Sequence, residues 1–232
     1  MSSNLYKKAY EAYKRLDIKT AHAICVSIIN VDPQFHQSYY LLGVINNHVH
    51  SYMKAVELLK LAIAITDLPK YRIHLAKSYS LLGISDAVVA ITNSINLSHS
   101  LSEEDLDMLG VSLSLVGRHD KALQCFTKAI VLTTSPEVLY NYAVSAKFCG
   151  DHNNAIDALY KAIRLRPTYH QAHFALADLT KGAAIQAHID QLNMLLRHYF
   201  NKIIGKNDVT AVLHYSHALA KEYEKQKHFK LE

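Results

Sequence analysis

At 232 residues, half of them apolar, the chain carries enough hydrophobic side chain for a packed core, which excludes a disordered class. Four Pro, seven Gly and no Trp argue against a β-rich fold with many tight turns. The formal charge of +5 is scattered, with no run of five Lys or Arg, so neither a nucleic-acid partner nor a membrane surface is expected.

The first residues, "MSSNLYKKAYEAYKR", lack the apolar centre of a signal peptide, and no stretch of 18 apolar residues follows. Cys25, Cys125 and Cys149 are odd in number and far apart, without metal-site or disulfide spacing. Together these features predict a cytoplasmic protein with reduced thiols.

Taken in order, the segments repeat. "KTAHAICVSIINVDP" (19–33), "MKAVELLKLAIAITD" (53–67), the weaker "SDAVVAITNSINLS" (85–98), "HDKALQCFTKAIVLT" (119–133) and "HNNAIDALYKAIRLRP" (152–167) are copies of one helix. Ala21, Ala55, Ala87, Ala122 and Ala155 anchor them, at spacings of 34, 32, 35 and 33. Upstream of each lies a second helical segment with a small residue: Ala9, Gly43, Ala76, Gly110 and Ala143, continuing at Ala177 and Ala220. In "LDMLGVSLSLVG", Leu106, Leu109, Leu113 and Val116 recur at helical spacing. Each unit therefore reads as two antiparallel helices, and its small residues let the two backbones approach closely. Gly83, Gly117 and Gly150 suit turns that need positive φ. Pro33 and Pro167 stop second helices, and Ser102 with Glu103, Glu104 and Asp105 opens a first helix as a cap.

This period, with its small residues and turn glycines, resembles the tetratricopeptide repeat. The resemblance covers residues 4–181, as five repeats and the first helix of a sixth. It implies an all-α fold, a right-handed superhelix or α-solenoid of antiparallel helix pairs, with first helices lining a concave groove. The third repeat departs from the pattern, with one residue fewer at its turn and Ser94 where Ala is expected.

Carried onto this chain, the groove positions are Tyr6, Tyr10 and Tyr13; Tyr40, Val44 and Asn47; His74 and Lys77; Met108; Tyr140, Asn141 and Lys147; and Phe174, Asp178 and Lys181. Tyr offers large contact area at little entropic cost, which suits a peptide or protein ligand. The alternative for each Tyr is packing between neighbouring first helices. Chaperone-binding members clamp a terminal carboxylate with Lys or Arg and Asn, but Tyr6, Tyr10 and Leu41 stand at the first three of those positions here. The Asn ladder of members fused to a GlcNAc transferase is also absent, with Asn141 alone in place.

No GxxxxGK[ST], GxSxG or GxGxxG string occurs, so no enzyme and no cofactor are expected. His170 with His173, and His214 with His217, have chelating spacing without a neighbouring Cys, and no metal site is expected.

Residues 182–230 break the pattern and read as irregular helices packing on or capping the array. Ile185, Ile189, Leu192, Leu195 and Leu196 mark one amphipathic helix, and "NKIIGKND" is a linker in which Asn207 or Asp208 caps the next. "HALAKEYEKQKHF" looks like another first helix, which predicts a truncated repeat. Its Tyr215, Leu219 and Tyr223 then need a cover from the 185–200 helix, from missing sequence or from a second copy, as in a homodimer. "HIDQLNMLLRHYF" followed by this segment is similar to the N-terminal half of bacterial sulfotransferases carrying these repeats. That resemblance implies a non-catalytic, substrate-recruiting region with a catalytic domain downstream. Leu231 and Glu232 fit a cloning junction. The first expectation is an interaction scaffold; the alternative is the sulfotransferase region.

Overall fold

Wherever apolar residues recur at three and four, the chain forms helix. The computed structural model describes residues 2–95, 101–180, 186–200 and 205–229. Lys181, Ile185, the 201–204 part of the linker, Leu231 and Glu232 lie outside the described residues. Helices follow as pairs: α1 (Ser2–Lys14) with α2 (Ile18–Val31), α3 (His36–His48) with α4 (Tyr52–Ile65), α5 (Pro69–Leu81) with α6 (Ser85–Ser94), α7 (Glu103–Leu115) with α8 (His119–Leu132), and α9 (Pro136–Phe148) with α10 (His152–Leu165). Then come α11 (His170–Leu179), α12 (Gln186–Phe200) and α13 (Lys206–Phe229). No strand occurs among the described residues. The fold is an all-α solenoid of helix pairs. It divides into two compact units, Met1–Cys125 and Phe126–Glu232, with the boundary inside α8.

In the first unit α1 packs on α2, α2 on α3, α3 on α4, and α4 on α5. The first-type helices also meet in sequence: α1 touches α3, α3 touches α5, and α5 touches α7. The small residues sit where pairs close. Ala9, Ala21, Ala55, Ala76, Ala122 and Ala155 are fully buried. At Gly43 a Cβ would stand 2.6 Å from Cγ of Leu59, so the α3–α4 approach has no room for a methyl group. Ala87 departs from expectation: it stays half-buried while Val88 is fully buried. Val88 stands twelve residues after Ala76, the same step as from Gly43 to Ala55 and from Gly110 to Ala122. α6 starts two residues after Gly83, just as α8 starts two after Gly117, so the turn is of regular length, not one residue short, and Val88 holds the inward position.

The turn glycines take φ of +72, +77 and +81 at Gly83, Gly117 and Gly150. The first two turns reach the same left-handed conformation without glycine, at Leu16 (φ 62) and His50 (φ 61). Helix starts are capped by short polar side chains: Asp17 accepts from the Thr20 amide at 3.1 Å, and Ser102 from Asp105 at 3.1 Å. Ser135 and Asp151 do the same for α9 and α10.

In the second unit α9 packs on α10, α10 on α11, α11 on α13, and α13 on α12. Between first-type helices, paired residues elsewhere lie 31–35 apart, as in His36–Tyr71 and Asn47–Ser78. Between α11 and α13 they lie 43–45 apart, as in Asp178–Lys221 and Thr180–Lys225. The longer offset accommodates α12, and it aligns Ala220 with Ala177. Ala177 is buried, whereas Ala220 is exposed, because no second helix lies over α13 among the described residues. Tyr215 is buried in a cluster with Ala177, Leu192, Leu195, Ala211 and Ala218. So Tyr215 is covered by α11 and α12, Leu219 is half-covered, and Tyr223 remains 43% exposed. α13 starts earlier than expected, at Lys206, and Asp208 reaches back from its first turn to the Gly205 amide at 3.1 Å.

Candidate functional site

The face formed by α1, α3 and α5 in the first unit carries a connected set of rings. Tyr6 packs on Phe35, Phe35 on His36, and His36 on Tyr71. Tyr71 stacks on Tyr40 with centroids 4.6 Å apart, and Tyr40 meets the edge of the His74 ring. Two polar contacts tie the rings together: His36 Nδ1 to the Tyr71 hydroxyl at 2.7 Å, and the Tyr40 hydroxyl to His74 Nε2 at 3.0 Å. A stacked aromatic pair of this kind contributes about 0.5–1.5 kcal/mol beyond area burial. Burial, with Lys77 and Lys70 nearby, pushes His74 down to about 3, so its ring is neutral at physiological pH. Burial also raises the Tyr6 and Tyr40 hydroxyls well above the ordinary phenol value.

The corresponding face of the second unit is built from α9, α11 and α13. Tyr140 packs on Tyr169, over which the Arg166 guanidinium lies while pairing with Glu137. Phe174 is flanked by His214 and His217 at centroid distances of 5.1 and 4.9 Å. Lys147 and Lys221 both pair with Asp178, whose carboxyl their hydrogen bonds hold down at about 2.

Behind this face lies a buried polar chain. His173 Nε2 is 2.8 Å from the Pro167 carbonyl oxygen, and its Nδ1 is 3.0 Å from His188 Nε2. His188 Nδ1 lies 3.2 Å from Glu222 Oε1, which also accepts from Lys225 Nζ at 3.0 Å. His173 and Glu222 are fully buried. Burial pushes His173 down to about 4 against its bond to Pro167, and pushes His188 down against the opposing pull of Glu222.

A tetratricopeptide-repeat sequence profile matches residues 136–169, which are α9, α10 and the turn that follows. Solved structures share the architecture at low identity. YrrB, described as a repeat protein of this type with an unusual peptide-binding site, is 18% identical over 72% of this chain and 88% of its own, with a TM-score of 0.54. TTC0263, a thermophilic repeat protein of Thermus thermophilus, is 17% identical over 77% and 98%, with a TM-score of 0.60. The Cut9–Hcn1 hetero-tetramer of APC/C gives a TM-score of 0.68 at 16% identity, over 96% of this chain and 42% of its own. The chain has the tetratricopeptide-repeat (TPR) fold. No curated protein matches the sequence.

The TPR frame shows how the expected groove residues divide. Tyr10 is 40% exposed, stacked beside Tyr6 with the Lys14 amine over its ring. Tyr6, Tyr13, Val44, Asn47, His74, Lys77 and Met108 are half-buried, as are Tyr140, Asn141, Lys147 and Phe174. Tyr40 is 8% exposed and belongs to the core, with Val56, Leu59, Ala62, Tyr71 and Leu75. Asn47 donates to Ser78 Oγ at 2.9 Å. Lys77 makes no ion pair among the described residues.

The histidines pair differently from their sequence spacing. Partners come from other helices, His170 with His214 and His173 with His188, rather than from one turn along. No group of three or more His, Cys, Asp or Glu able to hold a metal is found among the described residues. Phe35, His36, Tyr71, His188, Glu222 and Lys225 were not singled out by sequence. For Tyr71 a signal existed, since it lies 35 residues after His36, one repeat along.

Proposed function

We propose that the protein is a non-catalytic interaction scaffold that takes a peptide or partner protein on its first-helix face. TPR architecture supports a scaffold in general. The observation that carries the finer reading is the set of side chains left accessible on α1, α3, α5 and α7 of the first unit. Tyr10, Tyr13, Val44, Lys77 and Met108 remain partly exposed there after the ring ladder has formed. In the second unit Tyr140, Asn141, Lys147, Phe174 and Asp178 extend the proposal. Cys25, Cys125 and Cys149 form no disulfide among the described residues, which fits a protein acting in the reducing cytoplasm.

The test is a peptide-library screen on the whole chain, repeated with Tyr10→Ala plus Lys77→Ala. Tyr40→Ala is unsuitable, because removing a core ring perturbs folding. Each true hit should weaken by about tenfold or more, the loss expected when an anchoring side chain is truncated. Unchanged affinity for every hit removes the assignment.

A second reading rests on the open face of α13, where Val209, Leu213 and Tyr223 are 45%, 62% and 43% exposed beside Ala220. In regular pairs the equivalent small residue lies under a second helix. A second copy covering this strip would make a homodimer, and Leu213→Glu should return it to monomer in sedimentation velocity. The narrower reading, a substrate-recruiting region of a bacterial sulfotransferase, is supported by the sequence resemblance alone. A phosphosulfate-binding loop encoded downstream would support it, and a stop codon there would end it.

A further inference from the structure

The buried chain that joins α11, α12 and α13 can be read by counting protons. A backbone carbonyl only accepts, so His173 Nε2, 2.8 Å from Pro167 O, carries a hydrogen. Three links follow one another: Pro167 O to His173, His173 to His188, and His188 to Glu222. Each link needs one proton, and two neutral rings supply two. The third belongs to the His188–Glu222 pair, since Nδ1 and Oε1 would otherwise face each other lone pair to lone pair. A fourth proton has no place on the two rings. It would set two N–H groups against each other between rings that are stacked and buried.

We propose that this chain is a proton-counted latch, which ties α12 and α13 to α11 while it holds three protons and releases them when acid adds a fourth. The latch does not depend on the groove reading. It is reinforced by a second pair on the α11–α13 contact. His170 Nδ1 and His214 Nδ1 are 2.7 Å apart, a distance that accepts one proton between them and not two.

The surroundings fix the direction. His173 is faced by His170 on its own helix, His188 on α12 and Tyr215 on α13; His214 of α13 meets His170, and Glu222 and Lys225 of α13 face His188. Lys147 of α9 and Lys221 of α13 lie further along α11 on Asp178, and Tyr160 of α10 senses Glu222. Glu222 is already engaged by Lys225, whose amine also donates to Thr180 at 2.7 Å. Once released, His173 titrates near its ordinary 6.5; closed, it is held at about 4 by burial, with His188 and His170 adding repulsion. The released cap therefore binds more protons between these values. Closure is strongest near pH 6.5 and is lost as pH falls toward 4, by up to roughly 300-fold from this one ring; above pH 6.5 the released neutral rings carry two protons, one fewer than the latch, so closure also weakens as pH rises. Release also uncovers Phe174, which His214 and His217 flank in the closed form.

Hydrogen exchange on the whole chain, from about pH 7.5 to about 4.5 and corrected for intrinsic rates, tests the latch. α12 and α13 should lose protection below about pH 6 while α9 and α10 keep theirs. His173→Gln can still donate to Pro167 O and accept from His188 but takes no charge. It should hold α12 and α13 closed to distinctly lower pH. Nitrogen-15 imidazole spectra of the wild type give a reading that needs no variant: near neutral pH His173 should show a protonated Nε2 and a bare Nδ1. Unchanged protection of α12 and α13 across the whole pH range overturns the latch. So does release of His173→Gln at the wild-type pH, or a protonated Nδ1 on His173 near neutral pH.

Discussion

Replacing Gly43 by Ala sets two effects of known size against each other. In an unobstructed helix the change stabilises by about 1 kcal/mol, because Gly is the poorer helix former. Here the new Cβ would lie 2.6 Å from Leu59 Cγ and 2.9 Å from Cδ2, well inside the roughly 3.5–4.0 Å of an ordinary carbon contact. Leu59 is fully buried among Tyr40, Val56, Ala62, Tyr71 and Leu75, so it has no free space to turn into. Relief has to come from moving α3 off α4, and overpacking of this kind costs about 1–3 kcal/mol. The expected net effect is a loss of about 1 kcal/mol, read as a lower urea midpoint at unchanged m-value. The sign should reverse when the obstacle is removed. In a Leu59→Ala background, itself destabilised by about 2–5 kcal/mol, Gly43→Ala should stabilise by about 1 kcal/mol. The cycle thus carries a coupling of about 2 kcal/mol. If Gly43→Ala stabilises the otherwise wild-type protein, close backbone approach is not what the small residue provides.

Leu16→Asn should raise the melting temperature, by about 0.5 kcal/mol of stability, because Asn tolerates the left-handed φ of 62 that strains Leu, and Leu16 is 68% exposed. Leu16→Val, β-branched at the same φ, should lower it. Asp178→Asn leaves Lys147 and Lys221 without their shared carboxylate and should destabilise by about 1 kcal/mol at neutral pH, after allowance for solvent screening. Because the Asp178 carboxyl is held at about 2, below its ordinary 3.8, its contribution is present above 3.8 and disappears as pH falls through 2. Denaturation midpoints of wild type and Asp178→Asn should therefore differ at neutral pH and converge at pH 2.

The repeat frame was legible because it depends on size and period. A small residue at a helix crossing and a glycine in a tight turn are local demands, and Ala9, Gly43, Gly83 and Gly117 meet them in place. Where another force could do the same job, the pattern misled. Leu16 and His50 reach positive φ with no glycine, held by the helices on either side. Val88, not Ala87, fills the α6 crossing because it keeps the regular twelve-residue step from Ala76, and matching alanine to alanine set the anchor one residue early. The 43-residue step from α11 to α13 placed Ala220 correctly by sequence, yet its exposure depends on what covers it, which no single helix encodes. The His173–His188–Glu222 chain was invisible for a related reason. Its members lie on three helices, 15 and 34 residues apart, with no shared local pattern.

Tyr40 shows why a binding face is harder to read than a fold. In an array of near-constant period, one position on each first-type helix recurs beside its own copy in the next repeat. The side chains that point toward a ligand are thus the ones that can satisfy each other. Tyr40 and His74, 34 residues apart, do so, and Lys147 and Asp178, 31 apart, do so by charge. Such residues stabilise the stacking of repeats, and their replacement should change folding before it changes binding. On the proposed reading, the residues left for a partner are those a neighbouring repeat does not match: Tyr10 on α1, which is 40% exposed, and Lys77, which meets no acid among the described residues. Variants at these two should alter affinity at constant stability, whereas variants at Tyr40 should do the reverse. The separation of the two readouts distinguishes a recognition surface from a stack of repeats that merely looks like one.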